Sequence, residues 1–313
     1  MSESKGGFKI SPYTQTKMCY VGQKEVFKEG SDDIKEFLGI EISAKQIENV
    51  SHHWGEKVGE LRAEINFGKT ERSSGLHYVM IDGAMILSRE PSWKEVKLGR
   101  IFRATDAYVV GNEESTRGWI RQSNYTGHLG NCHDFFDKFS PKVDLLDEFI
   151  CIGDGAKWIW DWCNENYPDA PQLLDYWHGT EHLWKFAKIA FRFKKKQREW
   201  VKEKEQLLWE DKIEQVIEEI SDLAVSKKTA KEEQKKLLTY LNNNKTRMKY
   251  GTFKKKGWLV GSGAIESAHR TVIQKRMKQS GQRWTLKGGQ QILNLRIEHK
   301  NENWEDVIQL IAA

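Results

Sequence analysis

Three acidic side chains have sequence surroundings in which a carboxylate could bind a metal ion. Asp82 follows the apolar run HYVMI and Asp154 follows FICIG, so each is predicted to lie where a strand ends. Because the carboxyl ends of neighbouring parallel strands meet at one edge of a sheet, we expect these two side chains to converge there. Convergent carboxylates bind hard cations such as Mg²⁺. Two such ions about 3.5–4 Å apart can activate a water molecule and stabilise the leaving oxygen of a phosphodiester.

The third candidate, Glu266, is followed by a series of basic residues. Glycines precede it in WLVGSGAIESAHRT, and the segment after it has helical character. A glutamate in these surroundings suits a site that holds a metal ion and grips phosphates. The basic residues that we expect to contact DNA are Arg270, Lys275, Arg276, Lys278 and Arg283.

Each carboxylate also has an ordinary structural interpretation. Asp82 and Gly83 between two apolar runs are a typical hairpin turn signal. Asp154 could cap the helix that is predicted to begin at Ala156. Glu266 suits the start of a helix because the helix dipole favours a negative charge there. Taken singly, the three positions leave a structural role open.

A different metal site is suggested by the stretch PQLLDYWHGTEHLWKFA. His178, Glu181 and His182 match H-x-x-E-H, a zinc metallopeptidase motif. That function needs both histidines on one helix and a further acidic ligand downstream, and the sequence singles out no such ligand. We expect this match to be a coincidence of a helix start. Asp175 and His178 form a second pattern, D-x-x-H, in the same stretch.

The composition is that of a globular protein with an uneven charge. Hydrophobic residues make up 38% of the 313 positions, and no apolar run approaches the roughly 20 residues that span a bilayer. The polar start MSESKGGFK is not a signal peptide, so we expect a cytoplasmic protein without a membrane partner. The four cysteines form no C-x-x-C pair, which predicts reduced and buried thiols.

The basic residues are concentrated in one part of the chain. Residues 185–290 contain 27 Lys and Arg against 12 Asp and Glu, a formal charge of +15, whereas the rest of the chain carries −10. Such asymmetry indicates a basic surface that can meet phosphates. Solvated helix faces would give the same composition.

The elements that would position the carboxylates follow one another in a recognisable order. Residues 31–65 predict two helices across a tight break, with Ser43 as the N-cap of the second, and such a pair resembles a helix-turn-helix. Three consecutive strands are predicted over residues 76–110 and a helical region over residues 115–148. A strand EFICIG, a helix AKWIWDWCNENY and a strand QLLDYW come next.

This order predicts an α/β protein with a mixed sheet flanked by helices, and it is the order of the RNase H-like fold. Residues 180–250 are rich in Lys, Glu, Gln and Leu, which favours a long helical hairpin. Four regions are therefore expected. They are a helical DNA-binding region (residues 1–70), the first part of a catalytic core (71–180), a helical insertion (181–255) and a helical end of the core that carries Glu266 (256–313).

Several blocks of the sequence resemble a known family. YVMIDGAMILSR, IGDGAKWIWDW, YPDAPQLLDYWHGTEHLWKFA and GSGAIESAHRTVIQKRMKQSGQRWT look like bacterial insertion-sequence transposases of the ISKra kind. They are more distantly similar to the Mutator-like group of DDE transposases. The resemblance runs from about residue 10 to the C-terminus and is densest in these blocks.

The resemblance implies an RNase H-like core that performs metal-dependent cleavage and strand transfer of DNA. Asp82, Asp154 and Glu266 match the three acidic residues of such enzymes, which would hold two Mg²⁺ or Mn²⁺ ions. They are 72 and 112 residues apart, a spacing that accommodates a helical insertion. Asp175 and His178 fit a C/D-x-x-H pattern that Mutator-like enzymes carry between the second aspartate and the glutamate.

The resemblance also implies partners and a location. The partner is double-stranded DNA, both at the ends of the element and at the target, and the enzyme acts as a homo-oligomer on DNA in the bacterial cytoplasm, at the nucleoid. Relatives often carry further end-recognition sequence before the helix pair. A shortened copy that binds DNA without catalysis is therefore the alternative expectation.

Overall fold

The computed structural model describes residues 7–66, 72–112, 115–261 and 263–313. These residues form an α/β protein in which helices flank a mixed sheet, and this confirms the general fold class that the sequence predicts. The chain divides into two compact units. The first unit comprises Met1–Glu148 with Ile265–Ala313, and the second comprises Phe149–Ala264.

The helix pair predicted over residues 31–65 is present as α2 (Phe27–Leu38) and α3 (Ala44–Asn66), and a further helix, α1 (Pro12–Lys24), precedes it. The periodicity of α1 is weak because its buried face includes polar side chains, among them Gln15 and Gln23. The predicted start of α3 is confirmed. Ser43 Oγ accepts a hydrogen bond from the Gln46 amide, and the Gln46 side chain accepts one from the Ser43 amide.

One face of α3 is apolar and is part of a core. Ile47, Val50, Trp54 and Val58 are all buried in one hydrophobic cluster, together with residues of α1 and α2. Burial of these side chains stabilises the helical region as a packed bundle. The DNA-binding role of the helix pair stays a prediction.

Seven strands are described: β1 (Ser73–Leu87), β2 (Trp93–Arg103), β3 (Ala107–Asn112), β4 (Ser115–Ile120), β5 (Asn124–Leu129), β6 (Leu146–Gly153) and β7 (Gln172–Leu174). Five of them form one sheet in the order β5-β2-β1-β6-β7. β2 pairs antiparallel with both β1 and β5, whereas β6 and β7 are parallel. β3 and β4 form a separate antiparallel ribbon. β6 begins in the first unit and ends in the second.

The strand that carries Asp82 is longer than predicted. β1 continues past Asp82 and Gly83, and Asp82 pairs with Leu98 in the middle of the ladder. The chain reverses direction over residues 88–92 instead. The prediction that Asp82 follows the end of a strand is therefore wrong.

The predicted helical region over residues 115–148 is also wrong for most of its length. It contains β4, β5 and the start of β6, and its described helix is α4 (Cys132–Val143). The strand segments STRGWI and NYTGHL are short, but Thr, Tyr, Trp and Ile favour strands, and this preference prevails here.

Residues 181–255 are helical as predicted, but they are divided among several helices. The second unit begins its helices with α5 (Lys157–Asn166), which lies before this range. The helices that follow are α6 (Tyr176–Ala190), α7 (Lys194–Trp209), α8 (Ile213–Asp222), α9 (Lys228–Asn244) and α10 (Tyr250–Lys255). One break between them is fixed by Asp211, which has a φ of 59°. Its carboxylate accepts hydrogen bonds from the backbone amides of Gly251 and Thr252 at 2.8 and 2.9 Å.

The C-terminal part is helical. Its helices are α11 (Gly263–Ala268), a π-helical turn (His269–Gln274), α12 (Lys275–Met277), α13 (Leu286–Lys300) and α14 (Trp304–Ala312). α13 packs closely on α3, where a Cβ atom at Gly55 would lie 2.2 Å from the carbonyl oxygen of Gln291. None of the described helices is both long enough and apolar enough to cross a membrane.

Candidate catalytic site

Asp82 lies on β1 in a position shaped by close packing. Its Oδ1 accepts a hydrogen bond from the Gly83 amide at 2.6 Å. A Cβ atom at Gly83 would lie 2.2 Å from Oε1 of Glu95 on the paired strand. The glycine after Asp82 therefore permits a close side-chain approach and does not mark a turn.

His269 is the functional candidate that the sequence analysis did not identify. Its Nε2 lies 3.2 Å from Oδ2 of Asp82, and the histidine is only 4% exposed. Neither ring nitrogen has an aligned hydrogen bond in the described part of the chain, so the approach to Asp82 is a close polar contact without hydrogen-bond geometry. A buried polar group without a hydrogen bond is energetically unfavourable. The His269 imidazole is therefore a candidate for a functional role.

The contact between His269 and Asp82 also indicates where Glu266 lies. It lies on α11, three residues before His269, and residues three apart on a helix are neighbours. The first unit therefore brings the segment of Glu266 to the strand of Asp82. The E-x-x-H spacing was a signal in the sequence that could have identified His269. A π-helical turn begins at His269, and such turns occur frequently at functional sites.

Asp154 follows β6 in the second unit, as predicted. Its Oδ1 accepts a hydrogen bond from the Ala156 amide at 2.9 Å, so the carboxylate shapes the turn before α5. Gly155 has a φ of 97°, and a Cβ atom there would lie 2.9 Å from the ring of Tyr240. The Tyr240 hydroxyl donates to the Asp154 carbonyl oxygen at 3.1 Å. Burial, and then the negative charge of Asp154, raise the pKa of Tyr240.

Asp175 begins α6 directly after β7. It is fully buried, and its carboxylate accepts hydrogen bonds from the amides of Trp177 and His178 at 3.3 and 3.0 Å. The ring Nδ1 of His178 lies 3.0 Å from the same carboxylate. The D-x-x-H pair therefore braces the start of a helix.

Asp154 and Asp175 lie at the carboxyl ends of two neighbouring parallel strands. Gly153 pairs with Leu174 in the parallel register, and the Asp175 amide donates to the Gly153 carbonyl at 2.9 Å. Each aspartate is thus the next residue after its strand. The convergence of Asp82 with Asp154 stays a prediction.

The two histidines of H-x-x-E-H are engaged by different partners. The His178 ring contacts Asp175, whereas the His182 ring stacks on Tyr240 with ring centroids 3.8 Å apart. Burial lowers the pKa of His182. Across residues 7–66, 72–112, 115–261 and 263–313, no group of three or more His, Cys, Asp or Glu side chains has the proximity that would hold a metal ion.

The basic residues expected to contact DNA differ in their exposure. Arg270, Lys275, Lys278 and Arg283 are exposed. Arg276 is completely buried, and its Nε donates to the Gly22 carbonyl at 2.9 Å.

The environment of Arg276 explains this burial. Its guanidinium lies 4.8 and 4.9 Å from the ring centroids of Phe27 and Trp284. Burial lowers its pKa to about 10, so the side chain keeps its charge at neutral pH. The assignment of Arg276 to a DNA phosphate is therefore corrected to a role in packing.

Comparisons with known proteins do not place the chain in a family. Neither a protein-family model nor a curated protein matches it.

Proposed function

We propose that this chain is the transposase of a bacterial insertion sequence, which cuts DNA at the ends of its element and transfers the strands to a target. The observation that carries the proposal is the contact between His269 and Asp82. It connects the segments of two of the three carboxylates that the sequence resemblance assigns to catalysis. An RNase H-like arrangement of the core and a location at the bacterial nucleoid belong to the same proposal.

The proposed cofactors are two Mg²⁺ or Mn²⁺ ions, held by Asp82, Asp154 and Glu266. The donor set fits, because carboxylate oxygens are the ligands that hard divalent cations prefer. When bound, such ions activate a water molecule and stabilise charge on the leaving oxygen of a phosphodiester.

The protein side chains have separate tasks in this proposal. The amide of Gly83 donates a hydrogen bond to the Asp82 carboxylate and restricts its orientation, and the ring of His269 lies against the other carboxylate oxygen. The exposed basic residues near Glu266 position phosphates without reading the base sequence: Arg270, Lys275, Lys278 and Arg283. The proposed partners are the duplex ends of the element, a duplex target and further copies of this chain.

A nicking assay tests the proposal. The substrate is duplex DNA that carries the repeats flanking the coding region, with Mg²⁺ or Mn²⁺ present. We expect Asp82→Asn, Asp154→Asn and Glu266→Gln each to reduce nicking by more than about 100-fold, since even outer partners of a metal contribute 10–100-fold. Asp161→Asn is the matched control, because its carboxylate forms a surface salt bridge with Lys157.

The outcomes distinguish the alternatives. Nicking by Asp82→Asn at the rate of the parent protein would show that the carboxylate assignment is wrong. Specific binding of the repeats without nicking by the parent would identify a DNA-binding remnant. Target-site duplications beside the repeats in the flanking DNA would independently support transposition.

A further inference from the structure

The β3–β4 ribbon carries an exposed aromatic pair. Tyr108 and Trp119 lie directly opposite each other in the antiparallel register, and they are 44% and 50% exposed. Opposed residues on a ribbon project from the same face. Large aromatic side chains at this exposure lose hydrophobic stabilisation, so a pair on one face indicates a binding surface.

A basic cavity of about 900 Å³ in the first unit is lined by residues that flank this pair in the sequence, among them Ile120 and Arg121. Its lining includes five cationic side chains against two carboxylates, those of Asp106 and Glu302. The cationic residues are Arg100, Arg103, Arg121, Lys142 and Lys300. The cavity therefore has a formal excess of positive charge, which favours a polyanion.

Arg121 connects the cavity with the aromatic pair. Its side chain lines the cavity, and its guanidinium lies 6.0 Å from the centroid of the Tyr108 ring. Its backbone amide donates to the Asp106 carbonyl at 3.0 Å, which closes the base of the ribbon. Among the described residues, no carboxylate forms a salt bridge with Arg103, Arg121 or Lys300. Within the described part of this surface, these three cations therefore have no ion-pair partner.

The floor of the cavity is already ordered. Arg100 is 6% exposed, donates to Ser123 Oγ at 3.0 Å and lies 5.3 Å from the Tyr125 ring centroid. Lys142 donates to Thr126 Oγ1 at 2.8 Å. Fixed side chains lose little freedom when a ligand binds, so the site is preorganised.

We propose that the ribbon and the cavity bind unpaired DNA, with phosphates against the cationic side chains of the cavity and bases stacked on Tyr108 and Trp119. A positively charged groove beside aromatic side chains is the usual arrangement of single-strand binding proteins. Neither Tyr108 nor Trp119 belongs to the proposed metal site. The surface would hold a strand that is unpaired at a cut or melted end.

Binding of a short labelled single strand, measured by fluorescence anisotropy with EDTA present, tests this inference. Tyr108→Ala and Trp119→Ala should each weaken binding by about fivefold or more, because a stacked base contributes about 1 kcal/mol or more. Arg121→Ala should lower the slope of log affinity against log salt concentration by about 0.7. Matched controls are Tyr13→Ala and Trp93→Ala, which remove exposed aromatic rings elsewhere in the first unit.

Three results would overturn the inference. One is single-strand affinity within about twofold of the parent protein for both ribbon variants. Another is an equal loss in the two control variants. The third is an equal loss for duplex DNA, since a paired base does not stack on the ribbon. The inference extends the proposed function, but binding in EDTA is independent of cleavage. A protein that binds single strands but does not nick DNA would leave the inference standing. A protein that nicks DNA but does not bind single strands would contradict the inference and leave the proposed metal site standing.

Discussion

The Nε2 atom of His269 lies 3.2 Å from Oδ2 of Asp82, and this contact joins the helical segment of Glu266 to the strand of Asp82. Both side chains are largely enclosed, with 5% and 16% of their surface exposed. The ring of His269 therefore limits the space in which the Asp82 carboxylate can turn.

Replacement of His269 by alanine should weaken metal binding. We expect the Mn²⁺ affinity, measured by electron paramagnetic resonance, to fall about 10–100-fold because the Asp82 carboxylate loses its neighbour. His269→Gln should recover part of the affinity, since an amide group can donate a hydrogen bond to a carboxylate. The control is His52→Ala, which removes another imidazole with an unpartnered Nε2 from the same unit. Unchanged affinity in a folded His269→Ala protein would exclude the positioning role.

Replacement of Gly155 by alanine should destabilise the protein. The residue has a φ of 97°, and the new Cβ would lie 2.9 Å from the Tyr240 ring. We expect a loss of about 1–3 kcal/mol in the free energy of unfolding, measured by urea denaturation. Gly257→Ala isolates the backbone contribution, because Gly257 has a φ of 72° and open space around it. Equal losses at the two positions would mean that the contact with Tyr240 contributes nothing.

Arg276 and Lys278 should behave oppositely although both are basic. Arg276→Ala removes a buried side chain and leaves the Gly22 carbonyl without its donor, so we expect a loss of about 2–4 kcal/mol in the free energy of unfolding. Lys278→Ala, at an exposed position, should change stability by less than about 0.5 kcal/mol and weaken DNA binding. A stable Arg276→Ala protein with weak DNA binding would restore the original assignment.

His128 should make stability depend on pH. Burial, and then the positive charge of Lys138, lower the pKa of His128 from 6.5 to about 4. Between these values the unfolded chain takes up a proton that the folded protein does not. The free energy of unfolding should therefore fall by about 1–3 kcal/mol as the pH decreases from 6.5 to 4. Urea denaturation at both ends of this range checks the effect, and His128→Gln should reduce it. An identical pH dependence in the variant would contradict the assignment to His128.

The general fold was predictable because long apolar segments mark strands and periodic segments mark helices. The β6 strand, the α5 helix and the Ser43 cap are close to their predicted positions. β4 and β5 were missed because STRGWI and NYTGHL contain no continuous apolar run, unlike the FICIG segment of β6. α1 was missed because Gln15 and Gln23 are buried although they are polar.

Parts of the site depend on contacts that one sequence does not contain. Asp82 and Gly83 suggested a turn, but the close approach of Glu95 from the paired strand explains the glycine. Arg276 looked like its exposed neighbours in the sequence, and only the packing of α1 and α2 around it determines its burial. His269 could have been proposed from its spacing to Glu266, but its contact with Asp82 is a tertiary feature.

The central claim is that Asp82, Asp154 and Glu266 hold divalent metal ions together. The most direct test is calorimetric titration of the parent protein and of Asp82→Asn, Asp154→Asn and Glu266→Gln with Mn²⁺, with Asp161→Asn as the control. The account predicts binding by the parent and the control, and a strong loss of affinity in each of the three variants. Parent-like binding by Asp154→Asn would contradict the account, because the account assigns one of the three metal-binding carboxylates to Asp154.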